Sequence, residues 1–375
     1  MQEQNSNGQQ PLEKSYIIPL EGGSIISFKT LLVVLLSVLS VSLVIMLCLL
    51  GALRGRNNAL ENELLEHGYS VGDTAAVFAT EELPAGTVTN ATVAPLSPLE
   101  EPDVYAMYTD DTVNLTDIRS EFAILLDIKN NKVLAHKNGN SRMYPASMTK
   151  VMTLIVAYEH IEDLNETFTF DYTITDPAYK AGASVAGFLS SETVPMIDIL
   201  YGIALPSGAD ATTAVAVRVA GSEEKFAELM NEKAAALGLE NTHFVNASGL
   251  HDPDHYSTPH DIAIIMRYAM NIPLLAEIMS TYQYVTTATP QHPEGLLLVS
   301  TVFSRMYGTE PEVAEIIAGK TGYTNEALNC LVSCAETPSG ERYILVTGRA
   351  MSTAEEGNYG AVYDAFKIYK NYIPQ

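Results

Sequence analysis

Basic residues are scarce in this chain. The 21 Lys and Arg stand against 45 Asp and Glu, a formal net charge of −24. That balance excludes a nucleic-acid partner, because phosphate binding needs clustered Lys and Arg. Cysteine is scarcer, with three in 375 residues. Cys48 lies in an apolar run, and Cys330 and Cys334 lie in one predicted strand. An extended strand holds that last pair roughly 13 Å apart, too far for a disulfide, so both read as small core residues. The sequence has no H-E-x-x-H and no internal repeat. His251, Asp252, Asp254, His255 and His260 cluster in sequence and invite a metal reading. Their spacing matches no zinc signature. Hydrogen bonding within a loop is the better account, and no metal or cofactor is expected.

What is present divides the chain into four stretches. Residues 1–29 are polar and rich in Gln and Asn, the composition of a tail without regular structure. Residues 30–53 follow as a membrane anchor: Leu31 to Leu53 carries no charge and is long enough to span a bilayer as one helix. A cleaved signal peptide is the rival reading. It fits less well, because a long polar segment precedes the run and no A-x-A-like site follows it. Cys48 has no small residues before it and does not read as a lipid-attachment site. Lys14 and Lys29 balance Arg54 and Arg56, so positive charge does not orient the span. Residues 54–116 have no Lys or Arg from Asn57 to Ile118 and are acidic, Thr- and Pro-rich, as in ELPAGTVTNATVAPLSPLEEPD. They predict a flexible acidic stalk.

Residues 117–372 have the pattern of a folded domain. Ala123–Ile128 and Lys132–His136 predict two strands joined at Asn130-Asn131. A mostly helical middle follows, with helices over Met196–Ala204, Ala209–Ala220, Ser222–Leu237 and 259–270. Val313–Gly322, Asn329–Glu336 and Arg342–Ala350 predict a meander with a turn at Pro338-Ser339-Gly340. A last amphipathic helix covers Ala354–Tyr369. Strands at both ends with helices between them predict an α+β fold, in which one antiparallel sheet is built from both chain ends.

Three stretches carry chemistry. In YPASMTKVMTLIVAY, Ser147 precedes Lys150 by three residues and one helical turn. A neutral lysine there takes the serine proton, and the helix start favours the negative charge that develops. The same spacing at Ser222 and Lys225 lies in acidic, amphipathic flanks and reads as a helix cap with a solvated lysine. What lifts Ser147 is its company. LPSGADA places Ser207 in a turn between two helices, and GKTGYTNEA places Lys320-Thr321-Gly322 at a strand end. S-x-x-K, a serine turn and K-T-G, in that order, mark penicillin-binding proteins and class A β-lactamases.

With its flanks FVNASGLHDPDHYSTPHDIA and KTGYTNEALNCLVSCA, the chain resembles the serine D-alanyl-D-alanine carboxypeptidases, low-molecular-mass penicillin-binding proteins, over about Asp117 to Tyr372. The resemblance implies a penicillin-binding protein/β-lactamase-like fold. It implies Ser147 as the acylated nucleophile, Lys150 as its base, and Ser207 as a link between the two lysines. Lys320 and Thr321 would take the substrate's terminal carboxylate. Beside Gly322, the Ser147 and Tyr323 amides would form the oxyanion hole. A second lysine near Lys150 lowers its pKa by repulsion. The implied substrate is the D-Ala-D-Ala end of peptidoglycan stem peptides, with β-lactams as covalent inhibitors. Relatives carry a further β-rich domain and a C-terminal anchor, so a single catalytic domain with its anchor moved to the N-terminus is expected here.

The chain departs from this pattern at one place. The family's second motif is Ser-x-Asn, and here the triplet is Ser207-Gly208-Ala209; no S-x-N occurs anywhere. Alanine supplies neither hydrogen bond of an amide, and losing one such group costs roughly 10²–10³ in rate. Asp210 beside it is expected to cap its own helix. Two alternatives therefore stand beside the carboxypeptidase. One is a weakened, peptidoglycan-binding relative. The other is an endopeptidase or β-lactamase on the same fold, although no deacylating Glu is identifiable.

Overall fold

The computed structural model describes residues 106–306, 313–352 and 359–374, and the backbone of two short strands before them. These are β1 (Ile17–Pro19) and β2 (Ile25–Ser27), an antiparallel pair within the stretch read as lacking regular structure. The predicted anchor over 31–53 and the stalk up to residue 105 lie outside the described residues. Among the described residues no single helix is long and apolar enough to cross a membrane.

The ordered fold starts before the expected boundary at residue 117. Ala106 and Leu115 are buried, and β3 (Val113–Asn114) pairs in parallel with the strand Lys132–Lys137. Apolar positions spaced along an otherwise acidic stretch find the sheet edge, which composition alone did not show. β4 (Phe122–Asp127) and β5 (Lys132–Lys137) form the expected hairpin. Asn131 takes a left-handed φ of 50° in the turn, a conformation asparagine tolerates.

A 3-10 turn (Ala146–Thr149) leads into α1 (Lys150–His160). Then come β6 (Thr167–Thr169), α2 (Tyr172–Lys180), β7 (Thr193–Pro195), α3 (Met196–Ala204), α4 (Ala209–Ala220) and α5 (Glu223–Ala236). Ser222 caps α5 by accepting from the Lys225 amide, as its sequence context predicts. α6 (Pro259–Met270) starts at the Thr258 cap, and α7 (Pro273–Ser280) follows. β8 (Gln283–Val285) and β9 (Leu297–Val299) pair on their own.

The chain closes with β10 (Glu315–Thr324), β11 (Leu328–Glu336), β12 (Arg342–Ala350) and α8 (Gly360–Tyr372). The main sheet runs β10-β11-β12-β4-β5-β3. β12 pairs antiparallel with β4, so both chain ends build it as expected.

The sheet is covered on both faces, and the unbroken apolar run of β4 shows why. Phe122, Ile124 and Leu126 enter one core beneath the helical middle. Ala123 and Leu125 enter a second core under α8. This alternation follows from the two-residue period of a strand. α8 seats Ala361, Val362, Ala365, Ile368 and Tyr369 on that second face, at helical spacing. Its buried Asp364 accepts from the Arg119 and Ser120 amides and from the Ser120 hydroxyl, fastening the domain's first residues to its last helix. Cys330 and Cys334 are free thiols buried on one face of β11. β10 keeps an unpaired edge, and the 3-10 turn of Ser147 packs against this strand.

Candidate active site

The predicted residues converge on one cleft of about 410 Å³. Ser147, Lys150, Ser207, Thr321, Gly322 and Tyr323 line it. Lys320 does not: it is fully buried.

Ser147 sits one residue beyond Ala146, which holds a left-handed φ of 47°. Such strain in a non-glycine residue persists only where the surroundings impose it. Here two glycines allow the close packing. A Cβ on Gly249 would lie 1.9 Å from the Ala146 carbonyl oxygen, and Gly249 itself has φ +80°. A Cβ on Gly322 would come within 3.0 Å of the Ser147 amide nitrogen. The K-T-G glycine therefore lets β10 press against the backbone of the nucleophile turn. Ser147 and Tyr323, whose amides are the two donors expected for an oxyanion, both line the cleft.

The Lys150 amine lies 3.1 Å from the Ser147 hydroxyl and donates to the Ser248 carbonyl at 2.6 Å. Burial pushes the Lys150 pKa down to about 7, with Asp210 and then Glu223 pulling the other way. Repulsion from Lys320 was expected to produce this depression; the dominant cause is desolvation instead. The repulsion acts on Lys320, whose pKa is held well below the usual lysine range by burial, then by Lys150 and Arg305. The Lys320 amine donates to the Thr321 carbonyl at 3.1 Å. The Thr321 hydroxyl meets the Thr301 hydroxyl at 2.8 Å.

Ser207 also has a left-handed backbone, φ 67°, and is 5% exposed. No hydrogen bond joins its hydroxyl to either lysine, so the expected link is not made in this state. Ala209 donates its amide to the Ser184 carbonyl and lines the cleft where the family pattern has asparagine. Asp210 does not cap its own helix. Its two oxygens accept from the Ala186 and Gly187 amides, at 2.7 and 3.0 Å. The carboxylate thus anchors the segment that brings Ala183 and Ser184 to the cleft.

The histidine-rich loop is structural at its centre. His255 accepts the Val245 amide at Nδ1, which leaves its Nε2 proton for the Thr149 hydroxyl at 2.8 Å. Burial pushes His255 down to about 4, so it is neutral near pH 7. Among the described residues no three His, Cys, Asp or Glu side chains are placed to hold a metal ion.

Sequence reasoning missed three participants. The Ser248 carbonyl and Gly249 lie in the quoted NASGL flank, which carried a signal without a role. Arg305, which also lines the cleft, had no motif to mark it.

Comparison with known proteins gives this geometry its family. Residues 109–351 match the peptidase S11 family, D-alanyl-D-alanine carboxypeptidase. The chain is 35% identical over 237 residues to D-alanyl-D-alanine carboxypeptidase DacF of Bacillus subtilis, covering 63% of this chain and 58% of that protein. It is 31% identical over 234 residues to DacA of Haemophilus influenzae, covering 61% of this chain and 56% of that one. The chain thus spans less than two thirds of the length of these curated relatives. Among solved structures, a mutant of the Streptomyces K15 DD-transpeptidase is similar, with TM-score 0.61 and 27% identity over 68% of this chain and 98% of that one. A D-alanyl-D-alanine carboxypeptidase from Mycobacterium tuberculosis is similar at TM-score 0.58 and 28% identity, over 69% of this chain and 94% of that one. With a penicillin-binding-protein-like α+β fold and a family match over most of its folded part, the chain belongs to the peptidase S11 family of D-alanyl-D-alanine carboxypeptidases.

Proposed function

We propose that this chain is a serine-type D-Ala-D-Ala carboxypeptidase that removes the terminal D-alanine of peptidoglycan stem peptides. The observation that carries the reading is the Lys150 amine 3.1 Å from Ser147, with its pKa near 7. Near neutral pH such an amine is neutral in a large fraction of molecules and takes the serine proton.

The Ser147 oxygen attacks the carbonyl carbon of the penultimate residue as Lys150 accepts its proton. The Ser147 and Tyr323 amides hold the oxyanion. The C–N bond then breaks, the leaving amine of D-alanine takes the proton, and an acyl ester remains on Ser147. Water hydrolyses the ester, its proton passing to Lys150 and then to Ser147. β10 offers its free edge to the substrate backbone as an added strand, and β-lactams acylate Ser147 by the same attack. The uncharged run Leu31 to Leu53 anchors the enzyme in the cytoplasmic membrane as a single span. The catalytic domain works on the extracytoplasmic side, where its substrate is.

The test is to incubate the full-length chain with a fluorescent penicillin and map the adduct by mass spectrometry, with Ser147→Ala as control. The expected result is a stable adduct on Ser147, absent from the variant, together with D-alanine release from a D-Ala-D-Ala peptide. A folded chain that gives no adduct at any concentration overturns the reading and leaves the peptidoglycan-binding relative, disabled at Ala209.

A further inference from the structure

Ala209 takes a hydrogen-bond donor away from the helical wall of the cleft, and the fold sets another beside it. The Ala209 amide donates to the Ser184 carbonyl at 2.8 Å, so the two residues are neighbours, and both line the cleft. Ser184 is exposed there, and it carries the one polar side chain of residues 183–187.

Its segment is fastened from several sides. The fully buried Asp210 accepts from the Ala186 and Gly187 amides, and the Ala183 amide donates to the Ala178 carbonyl at 3.0 Å. A Cβ on Gly208 would lie 2.7 Å from the Ala186 nitrogen, so the Ser207 turn and this segment pack backbone to backbone. Phe188, just beyond, is fully buried and stacks on Phe170 with 4.7 Å between ring centroids. Burying a carboxylate costs free energy unless strong hydrogen bonds offset it. Here the two bonds of Asp210 fix a segment whose hydroxyl stands in a cavity, a contact ordered before its ligand arrives.

The geometry of an extended substrate says what that hydroxyl meets. The penultimate residue turns its carbonyl to the Ser147 and Tyr323 amides. In an extended chain the N–H and C=O of one residue point to the same edge, and those of the residue before it point to the opposite edge. The carbonyl one residue upstream of the scissile one therefore points away from β10, towards the helical wall. On that wall the family pattern has an asparagine, and this chain has the methyl group of Ala209. Asn325, an amide that also lines the cleft, lies in the turn after β10 and so belongs to the strand wall.

We propose that the Ser184 hydroxyl donates to this upstream carbonyl and supplies the substrate contact that Ala209 lacks. Ser184 is then a substrate-binding residue; this rests on the carboxypeptidase reading above. One O–H donor is enough for that carbonyl. Lys150 needs no acceptor from residue 209, because it has the Ser248 carbonyl at 2.6 Å.

The test uses the full-length chain and two β-lactams that differ at this carbonyl. Benzylpenicillin carries an acylamino group whose carbonyl stands for the upstream one, whereas aminopenicillanic acid carries a bare amine there. In Ser184→Ala the acylation rate constant for benzylpenicillin is expected to fall about 10²-fold, the effect of losing one positioned donor. That for aminopenicillanic acid is expected to stay within about threefold, as for an ordinary surface substitution. A second arm starts from Ala209→Asn, whose amide makes Ser184 redundant. In that background adding Ser184→Ala is expected to cost less than about threefold on benzylpenicillin, a coupling that independent sites do not show. Thermal melts check that the variants fold. Equal changes on the two β-lactams, or the full loss in both backgrounds, overturn this inference alone. A wild-type chain that forms an adduct with neither compound overturns the carboxypeptidase reading and this inference with it.

Discussion

On the helical wall of the cleft, Lys150 reaches the nucleophile and faces the cavity. On the strand wall, Lys320 of β10 lies outside the cleft lining and donates to a backbone carbonyl. Both are essentially buried, at 2% and 0% exposure, so burial alone does not separate them. Their neighbours do. Asp210 and Glu223 oppose the loss of charge on Lys150, which leaves it near neutrality. Lys150 and Arg305 add to the loss on Lys320. In the proposed reaction Lys150 exchanges a proton with Ser147, whereas Lys320 loses charge to burial and its cationic neighbours and does not line the cavity. A lysine in a recognised motif therefore acquires its role from the charges that face it.

Exchanging the two lysines separately gives the largest contrast. Lys150→Met is expected to slow acylation by penicillin roughly 10³-fold, within the range set by losing a general base. Lys320→Met is expected to cost less, about 10²-fold in kcat/KM, and to keep the pH dependence of wild type. Equal losses with the same pH profile would make the two walls equivalent and sink the distinction.

A middle-sized effect lies in that pH dependence. Acylation needs the neutral amine, so its rate should rise with pH through about 7 and level off above it. Asp210 raises the Lys150 pKa, so Asp210→Asn should move this limb to lower pH. Stopped-flow acylation across pH 5 to 9, at roughly half-unit steps, reads the limb. A limb that stays in place, or moves upward, would show that Asp210 acts only through the Ala186 and Gly187 amides.

The smallest effect concerns stability behind the helical wall. His255 is held at about 4, below its ordinary value of 6.5. As pH falls through that window the unfolded chain takes a proton that the folded chain refuses. The stability present above pH 6.5 is therefore lost towards pH 4, by roughly 3 kcal/mol at most. Urea melts at several pH values should show a shallower decline in His255→Gln. The same slope in both proteins would place the acid sensitivity elsewhere.

Local chemistry made much of this molecule legible in its sequence. The β10–β12 meander, the Asn130-Asn131 hairpin and the Ser222 cap each depend on residues a few positions apart. So does the Ser147–Lys150 contact, which one helical turn guarantees. The rest depends on distant chain. Asp210 reaches back to Ala186, and the carbonyl that holds Lys150 belongs to Ser248; neither has a periodicity to reveal it. β6, β7, β8 and β9 are three residues each, too short to show an alternating pattern. Arg305 carries no motif, and only the fold brings it to the cleft.

The pairing of β4 with β12 also sets a timetable. Asp127 opposes Tyr343 in the finished sheet, so β4 leaves the ribosome with its partner still unmade. Roughly 220 further residues, at about 5–20 residues per second, delay that partner by tens of seconds. For that interval an apolar strand with both faces destined for burial has an open edge, the feature that invites mispairing. The order of the strands thus obliges the cell to shelter the first third of this domain until its last third arrives.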